Sequence, residues 1–137
     1  MEKITVQTCI NTTNLKAWNY YIRPEHITQW NFALDSWHCP NAVNEMKVGG
    51  KFIARMEAKD GSEGFYFEGT YTDIHFGKRI SYIMEDGRVV SVKFSNNENN
   101  NVDVIISFDP ENENPLEMQR DGWQNILDNF KKYVESN

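Results

Sequence analysis

The most reactive side chains in this sequence belong to His38-Cys39, within the segment Asp35-Ser36-Trp37-His38-Cys39-Pro40. A cysteine acts as a nucleophile when a nearby base or positive charge holds it as the thiolate. Neighbouring residues of an extended strand point to opposite faces, so the imidazole cannot easily reach the adjacent thiol. We therefore interpret Cys39 as a buried structural cysteine and His38 as part of a pocket wall, and we assign no catalytic residue.

The residue types that bind metals are dispersed along the sequence. The histidines are His26, His38 and His75, and no two of them have the i, i+3 or i, i+4 spacing that places ligands on one helix face. The two cysteines, Cys9 and Cys39, lack the C-x-x-C spacing of zinc and redox sites. We predict no metal and no cofactor.

Aromatic side chains carry the strongest signal for binding. Most of them fall on strand or helix faces that we expect to point toward the last helix, and each can bury about 150–250 Å². The candidate pocket residues are Trp30, Trp37, His38, Phe52, Phe65, Phe67, Tyr71, Tyr82, Trp123 and Leu127. A packed core and the wall of an apolar pocket use the same residue types, so the sequence leaves both interpretations open.

The composition restricts the kinds of partner. The chain has 137 residues and a formal net charge of -6, which disfavours nucleic acids and anionic membranes. No apolar run approaches the roughly 18 residues that cross a bilayer, and the N-terminus does not resemble a signal peptide. We expect a cytoplasmic protein with reduced thiols, whose partner is a small apolar molecule.

The elements that must position these residues begin with a strand and two short helices. Residues 3–10 alternate between apolar and polar, as in a half-buried strand. The polar segment Asn11-Thr12-Thr13-Asn14 supplies helix caps, and Pro24 ends the helix that follows. A further helical turn is predicted over 25–30.

After residue 36 the pattern becomes extended, and it predicts five further strands in a meander. The turns between them fall at Asp60-Gly61, Phe76-Gly77-Lys78, Asp86-Gly87 and Asn96 to Asn101. Apolar residues then recur at helical spacing over 116–134, which predicts a long amphipathic helix. One such helix buries its apolar stripe most simply against the apolar face of the sheet.

Three local features carry more specific expectations. Glu68 lies in an aromatic strand, and we expect it on the outer face, paired with a lysine or arginine on the next strand. Gly49-Gly50 is expected to form a bulge or corner at the start of a strand. Gly122 costs a helix about 1 kcal/mol relative to alanine, and we expect close packing against the sheet to offset this, with contact of a ligand beside Trp123 as the alternative.

Three blocks of sequence also carry a resemblance to a known family. They are the segment 35–40, Val48-Gly49-Gly50-Lys51-Phe52, and Gln119-Arg120-Asp121-Gly122-Trp123. In this order they resemble the bacterial relatives of the activator of heat-shock protein 90 ATPase, within the START-like or Bet v 1-like (SRPBCC) superfamily. The resemblance covers the whole chain, 1–137, as a single domain.

The resemblance implies an α+β helix-grip fold. A curved antiparallel sheet is then wrapped around the long C-terminal helix, with two short helices after the first strand and an apolar pocket between sheet and helix. The leading expectation for function is the binding of a small apolar ligand in that pocket. The alternatives are a chaperone-interaction protein and, third, an enzyme that uses the same pocket. The chain is expected to be a monomer or a homodimer.

Overall fold

The computed structural model describes residues 2–97 and 99–137, which form three helices and seven strands. The helices are α1 (Asn14–Ile22), α2 (Pro24–Trp30) and α3 (Leu116–Ser136). The strands are β1 (Ile4–Ile10), β2 (Trp37–Asn44), β3 (Lys51–Ala58), β4 (Gly64–His75), β5 (Arg79–Ile83), β6 (Val89–Asn96) and β7 (Val102–Phe108).

The strands form one antiparallel sheet in the order β1-β7-β6-β5-β4-β3-β2. Each strand from β2 to β6 pairs with the next strand along the chain, and β1 pairs with β7. The sheet curls into a half-barrel around α3, so the predicted helix-grip α+β fold is confirmed. Among the described residues, no helix is long and apolar enough to cross a membrane.

Helix α3 is held by the apolar stripe of its second half. Leu127, Phe130 and Val134 recur at helical spacing and are fully buried. The Phe130 ring lies 4.9 Å from the Trp30 ring and 5.3 Å from the Tyr21 ring, both at steep interplanar angles. Helices α1 and α2 therefore pack against the C-terminal half of α3.

The short helices begin where the sequence predicts them. The Thr13 hydroxyl accepts a hydrogen bond from the Lys16 backbone N–H at 3.2 Å, as an N-cap does. Pro24 occupies the first turn of α2, where its missing N–H costs nothing. The indole of Trp30 donates to the Tyr20 carbonyl at 3.0 Å and so joins the two helices.

The structure has one strand more than the six that the pattern predicts. The additional strand is β2, which lies at the sheet edge beside β3. Its pairing is irregular between His38 and Asn41, and Pro40 lies inside the irregularity. This interrupts the strict alternation by which the other strands are recognised, and proline is tolerated there because edge strands leave backbone groups unpaired.

The expectation of an ion pair at Glu68 is wrong. Its register partner on β3 is Ile53. Among the described residues, no lysine, arginine or histidine nitrogen lies within 4 Å of the Glu68 carboxylate. The nearby Arg55 lies opposite Tyr66 and instead donates to Glu57 at 2.8 Å. The register therefore gives Glu68 an apolar neighbour.

The corner expected at Gly49-Gly50 is confirmed. Gly49 has a φ of +85°, which favours glycine, and a Cβ on Gly50 would lie 2.3 Å from the Glu45 carbonyl oxygen. The corner also joins β4, because the Gly49 N–H donates to the Tyr71 carbonyl at 2.8 Å and the Tyr71 N–H donates to the Gly50 carbonyl at 2.9 Å.

Candidate functional site

A cavity of about 490 Å³ lies between the inner face of β3, β4 and β5 and the first half of α3. The end of α1 and the connection between α2 and β2 complete its wall. Nine of the ten candidate residues line it, namely Trp30, Trp37, Phe52, Phe65, Phe67, Tyr71, Tyr82, Trp123 and Leu127. These residues come from six different elements, so the fold brings together side chains that lie far apart in sequence.

His38 is not part of this wall, contrary to its assignment from the sequence. It pairs in register with Glu57 on β3, and its Nε2 lies 3.6 Å from the Glu57 Oε1. The reason is strand alternation: Trp37 points to the cavity, so its neighbour points to the other face.

The sheet side of the cavity depends on a glycine. A Cβ on Gly69 would lie 2.6 Å from the Phe52 ring and 2.8 Å from the Tyr82 ring. Because glycine has no Cβ, these two rings can pack edge to face at a centroid distance of 4.5 Å. Phe67 stands beside them, 5.6 Å from Phe52. The aromatic wall is thus a contiguous surface across three strands.

The helix side is formed by a stripe of α3 that includes Gly122, Trp123 and Ile126. The Trp123 indole stacks on Phe108 at 4.1 Å and meets Phe67 edge to face at 5.8 Å. A Cβ on Gly122 would meet no atom within 4 Å. The close packing expected at Gly122 is therefore wrong, and this glycine leaves space beside the tryptophan.

The cavity has an apolar rim. Leu34, Phe65 and Met118 line it and are also exposed to solvent. They come from the α2–β2 connection, β4 and the start of α3. Exposed large apolar side chains grouped around an opening are typical of a ligand-access route.

A family model described as "Activator of Hsp90 ATPase homolog 1-like protein" matches residues 11–135. The chain belongs to this family. Its fold places it in the START-like (SRPBCC) superfamily, as the sequence blocks imply. No curated protein matches the chain.

Solved structures support the same assignment. The solution structure of the AHSA1-like protein from Aeromonas hydrophila is 40% identical, with a TM-score of 0.91 over 98% of this chain and 92% of that one. A Cytophaga hutchinsonii protein, also solved in solution, is 42% identical, with a TM-score of 0.84 over 98% and 93%. A crystal structure from Chromobacterium violaceum shares the fold at 18% identity, with a TM-score of 0.85 over 100% of both chains.

In this AHSA1-like chain, the charged residues of the described cavity wall are engaged by their own neighbours. The Arg88 guanidinium donates to Asp86 at 2.7 Å. The Glu111 carboxylate accepts from the Asn114 backbone N–H at 2.7 Å. The Gln119 side-chain amide donates to the carbonyls of Glu111 and Asn114 at 3.0 and 2.8 Å, which fixes the connection before α3. These groups order the rim of the cavity.

The polar groups inside the cavity include two residues that the sequence analysis did not select, Tyr21 and Asn44. The Tyr71 hydroxyl donates to Asn44 Oδ1 at 2.6 Å, and Asn44 Nδ2 donates to the Ile22 carbonyl at 2.5 Å. Tyr21 follows the buried Trp18 by three residues on α1, and this helical spacing gives a signal for burial. Asn44 ends an irregular edge strand, and no sequence pattern points to its role.

Burial raises the pKa of both Tyr71 and Tyr82 above the usual 10.0. In the unfolded chain these phenols lose their protons near pH 10, whereas the folded protein keeps them. The folded state then binds more protons, so stability falls as the pH rises above about 10. We expect the free energy of unfolding to fall by up to about 1.4 kcal/mol per pH unit for each tyrosine. Urea unfolding at pH 9, 10 and 11 measures this decrease.

The matched variants identify the source of this loss. Tyr82→Phe is expected to remove the share of Tyr82 from the alkaline dependence, while Tyr66→Phe, at an exposed position outside this cavity, leaves the dependence unchanged. A slope that is the same in all three proteins would show that the Tyr82 phenol does not contribute to it.

The other reactive side chains lie apart from one another. Cys39 is buried, and its thiol donates to the Asn41 carbonyl at 3.5 Å. His26 contacts the Tyr133 hydroxyl at 2.7 Å, and the His75 Nε2 lies 3.1 Å from Asp73. Within 2–97 and 99–137, no three His, Cys, Asp or Glu side chains form a group that could hold a metal ion.

Proposed function

We propose that this chain binds a small, apolar, uncharged molecule in the cavity between the sheet and α3. The observation that carries the proposal is a cavity of about 490 Å³ with a contiguous aromatic wall. Ligand sites in proteins generally have volumes of about 300–1,000 Å³ and apolar walls with few polar groups.

The charges on the wall support an uncharged ligand. Arg88 is already paired with Asp86, and Glu111 already accepts a backbone hydrogen bond. An anionic ligand would lose its hydration without gaining a free cation on the described wall, because Arg88 is held by Asp86, and such burial is costly. An apolar molecule instead gains roughly 25 cal/mol for each Å² that it removes from water.

Gly122→Leu provides a direct test, because a side chain added there extends into open space on the cavity side of α3. We expect the wild type to bind the uncharged dye N-phenyl-1-naphthylamine saturably and with quenching of tryptophan emission. We expect Gly122→Leu to weaken this binding at least about tenfold, because the leucine occupies the space of the dye.

The matched control is Asn125→Leu, which adds the same side chain to an exposed position of the same helix, outside the cavity wall. Both substitutions favour helix, so neither is expected to lower the free energy of unfolding. If the dye bound equally well to all three proteins, its site would lie elsewhere. If the wild type showed no saturable binding, the proposed function would be wrong.

The family description names an activator of a chaperone ATPase, and this makes chaperone association the alternative. Nothing in the part of the chain that the structure describes favours it over ligand binding. Catalysis has weaker support, because Cys39 and His38 face different surroundings: the thiol is buried beside Asn41, and the imidazole lies near Glu57.

A further inference from the structure

Three tyrosines from three elements line the same cavity. Tyr21 lies in the last turn of α1, Tyr71 lies on β4 and Tyr82 lies on β5. Tyr71 and Tyr82 are partners in register, with ring centroids 6.3 Å apart and each side chain only 4% exposed. Each phenol is close enough to another that a charge on one raises the pKa of its neighbour. The wall therefore has a local group of hydroxyls within an otherwise aromatic surface.

The hydrogen bonds of Asn44 fix the role of one of these hydroxyls. Its Nδ2 donates to the Ile22 carbonyl, which can only accept, so its Oδ1 must be the acceptor for Tyr71. The Tyr71 hydroxyl therefore donates its proton to Asn44 Oδ1, at a distance of 2.6 Å, and cannot donate it to a ligand at the same time.

The hydroxyls of Tyr21 and Tyr82 are free to donate. Among the residues that the structure describes, neither the Tyr21 nor the Tyr82 hydroxyl has a hydrogen-bond partner. Neither is one of the fully enclosed unpaired polar atoms, which are Asn14 Oδ1 and Trp18 Nε1 in the described part of the chain. Both hydroxyls thus keep contact with open space, and both residues line the cavity. Two unpaired donors on the wall of an otherwise apolar cavity are available to a ligand acceptor.

We propose that the Tyr21 and Tyr82 hydroxyls form a polar subsite that donates hydrogen bonds to an uncharged ligand oxygen. The ligand class is an apolar ketone or ester, whose carbonyl oxygen accepts from these donors while its apolar groups contact the aromatic wall. This proposal rests on the proposed function and adds the chemistry of the ligand to it.

The state of the phenols matches this ligand class. Burial raises the pKa of both Tyr21 and Tyr82 above the usual 10.0, so both remain protonated donors at neutral pH. A neutral donor suits a carbonyl oxygen. A carboxylate would need a free cation, and the Arg88 guanidinium near the rim is held by Asp86 at 2.7 Å.

The test compares two probes of nearly the same size and shape, benzophenone and diphenylmethane, which differ in having a carbonyl or a methylene at the centre. Displacement of N-phenyl-1-naphthylamine measures the affinity of each. We expect the wild type to prefer benzophenone by about 3- to 10-fold, the amount that a net neutral hydrogen bond contributes. Tyr82→Phe and Tyr21→Phe keep the rings, and each is expected to reduce this preference.

Tyr66→Phe is the control, because Tyr66 lies outside this cavity wall, and it should keep the full preference. Diphenylmethane affinity should be similar in all four proteins, which also shows that the variants remain folded. Equal affinities of the two probes for the wild type would overturn the subsite but leave the proposed function standing. If neither the probes nor the dye bound, the proposed function itself would fail.

Discussion

Phe130→Ala is expected to lower the free energy of unfolding by about 3–5 kcal/mol, the usual range for removing a buried phenylalanine. The Phe130 ring is 0% exposed and lies between Trp30 at 4.9 Å and Tyr21 at 5.3 Å. These neighbours are rigid aromatic rings on two other helices, so they cannot close the space that alanine leaves. Urea unfolding of wild type and variant, compared at a common m-value, measures the loss.

Trp123→Ala is the informative comparison, because the two positions lie two turns apart on the same helix. The Trp123 indole stacks on Phe108 at 4.1 Å but is only partly buried and borders the cavity. Part of its surface already faces open space, so we expect its truncation to cost less than that of Phe130, about 1–3 kcal/mol. A larger loss at Trp123 than at Phe130 would mean that the cavity is a packed core.

This difference follows from a division of α3 along its length. Its second half holds the fold, since Leu127, Phe130 and Val134 are fully buried. Its first half borders the cavity with Gly122 and Trp123. A cavity formed in this way keeps its shape because the helix that covers it is anchored elsewhere.

The inward-facing residues of the sheet are predictable because strand alternation depends only on sequence. Phe52, Phe67 and Tyr82 each lie on a regular strand with a clear period of two, and all three line the cavity. The same rule applied to Trp37 places His38 on the opposite face. The prediction that His38 lines the pocket is therefore wrong, and the alternation of the strand is sufficient to exclude it.

Other parts of the site depend on volume and on contacts between distant elements. A glycine that packs closely and one that leaves open space look alike in sequence, and Gly69 and Gly122 show these two cases. The hydrogen bonds of Asn44 to the Ile22 carbonyl and the Tyr71 hydroxyl depend on where α1 ends relative to the edge strand β2. The sequence pattern indicates the face on which a residue lies, but it does not indicate the distances between side chains of different elements.

Cys39 is expected to react with iodoacetamide at least about 100-fold more slowly than a free model thiol below pH 9. Burial raises the pKa of its thiol from the ordinary 9.0 to about 11, and each pKa unit lowers the thiolate fraction tenfold. The thiol donates its proton in a hydrogen bond to the Asn41 carbonyl, and Cys39 is only 2% exposed. Access to the reagent is thus restricted as well.

The measurement uses Cys9→Ser, which leaves Cys39 as the single thiol, and Cys39→Ser, which reports the exposed Cys9 in the same fold. Mass spectrometry follows alkylation of the native proteins between pH 7 and 10. The Cys39 rate should rise about tenfold per pH unit over this whole range, because its pKa lies above it, whereas a model thiol levels off near pH 9. Labelling of Cys39 at neutral pH faster than the model thiol would show that the fold stabilises its thiolate. A thiol-dependent reaction would then become a stronger proposal than ligand binding alone.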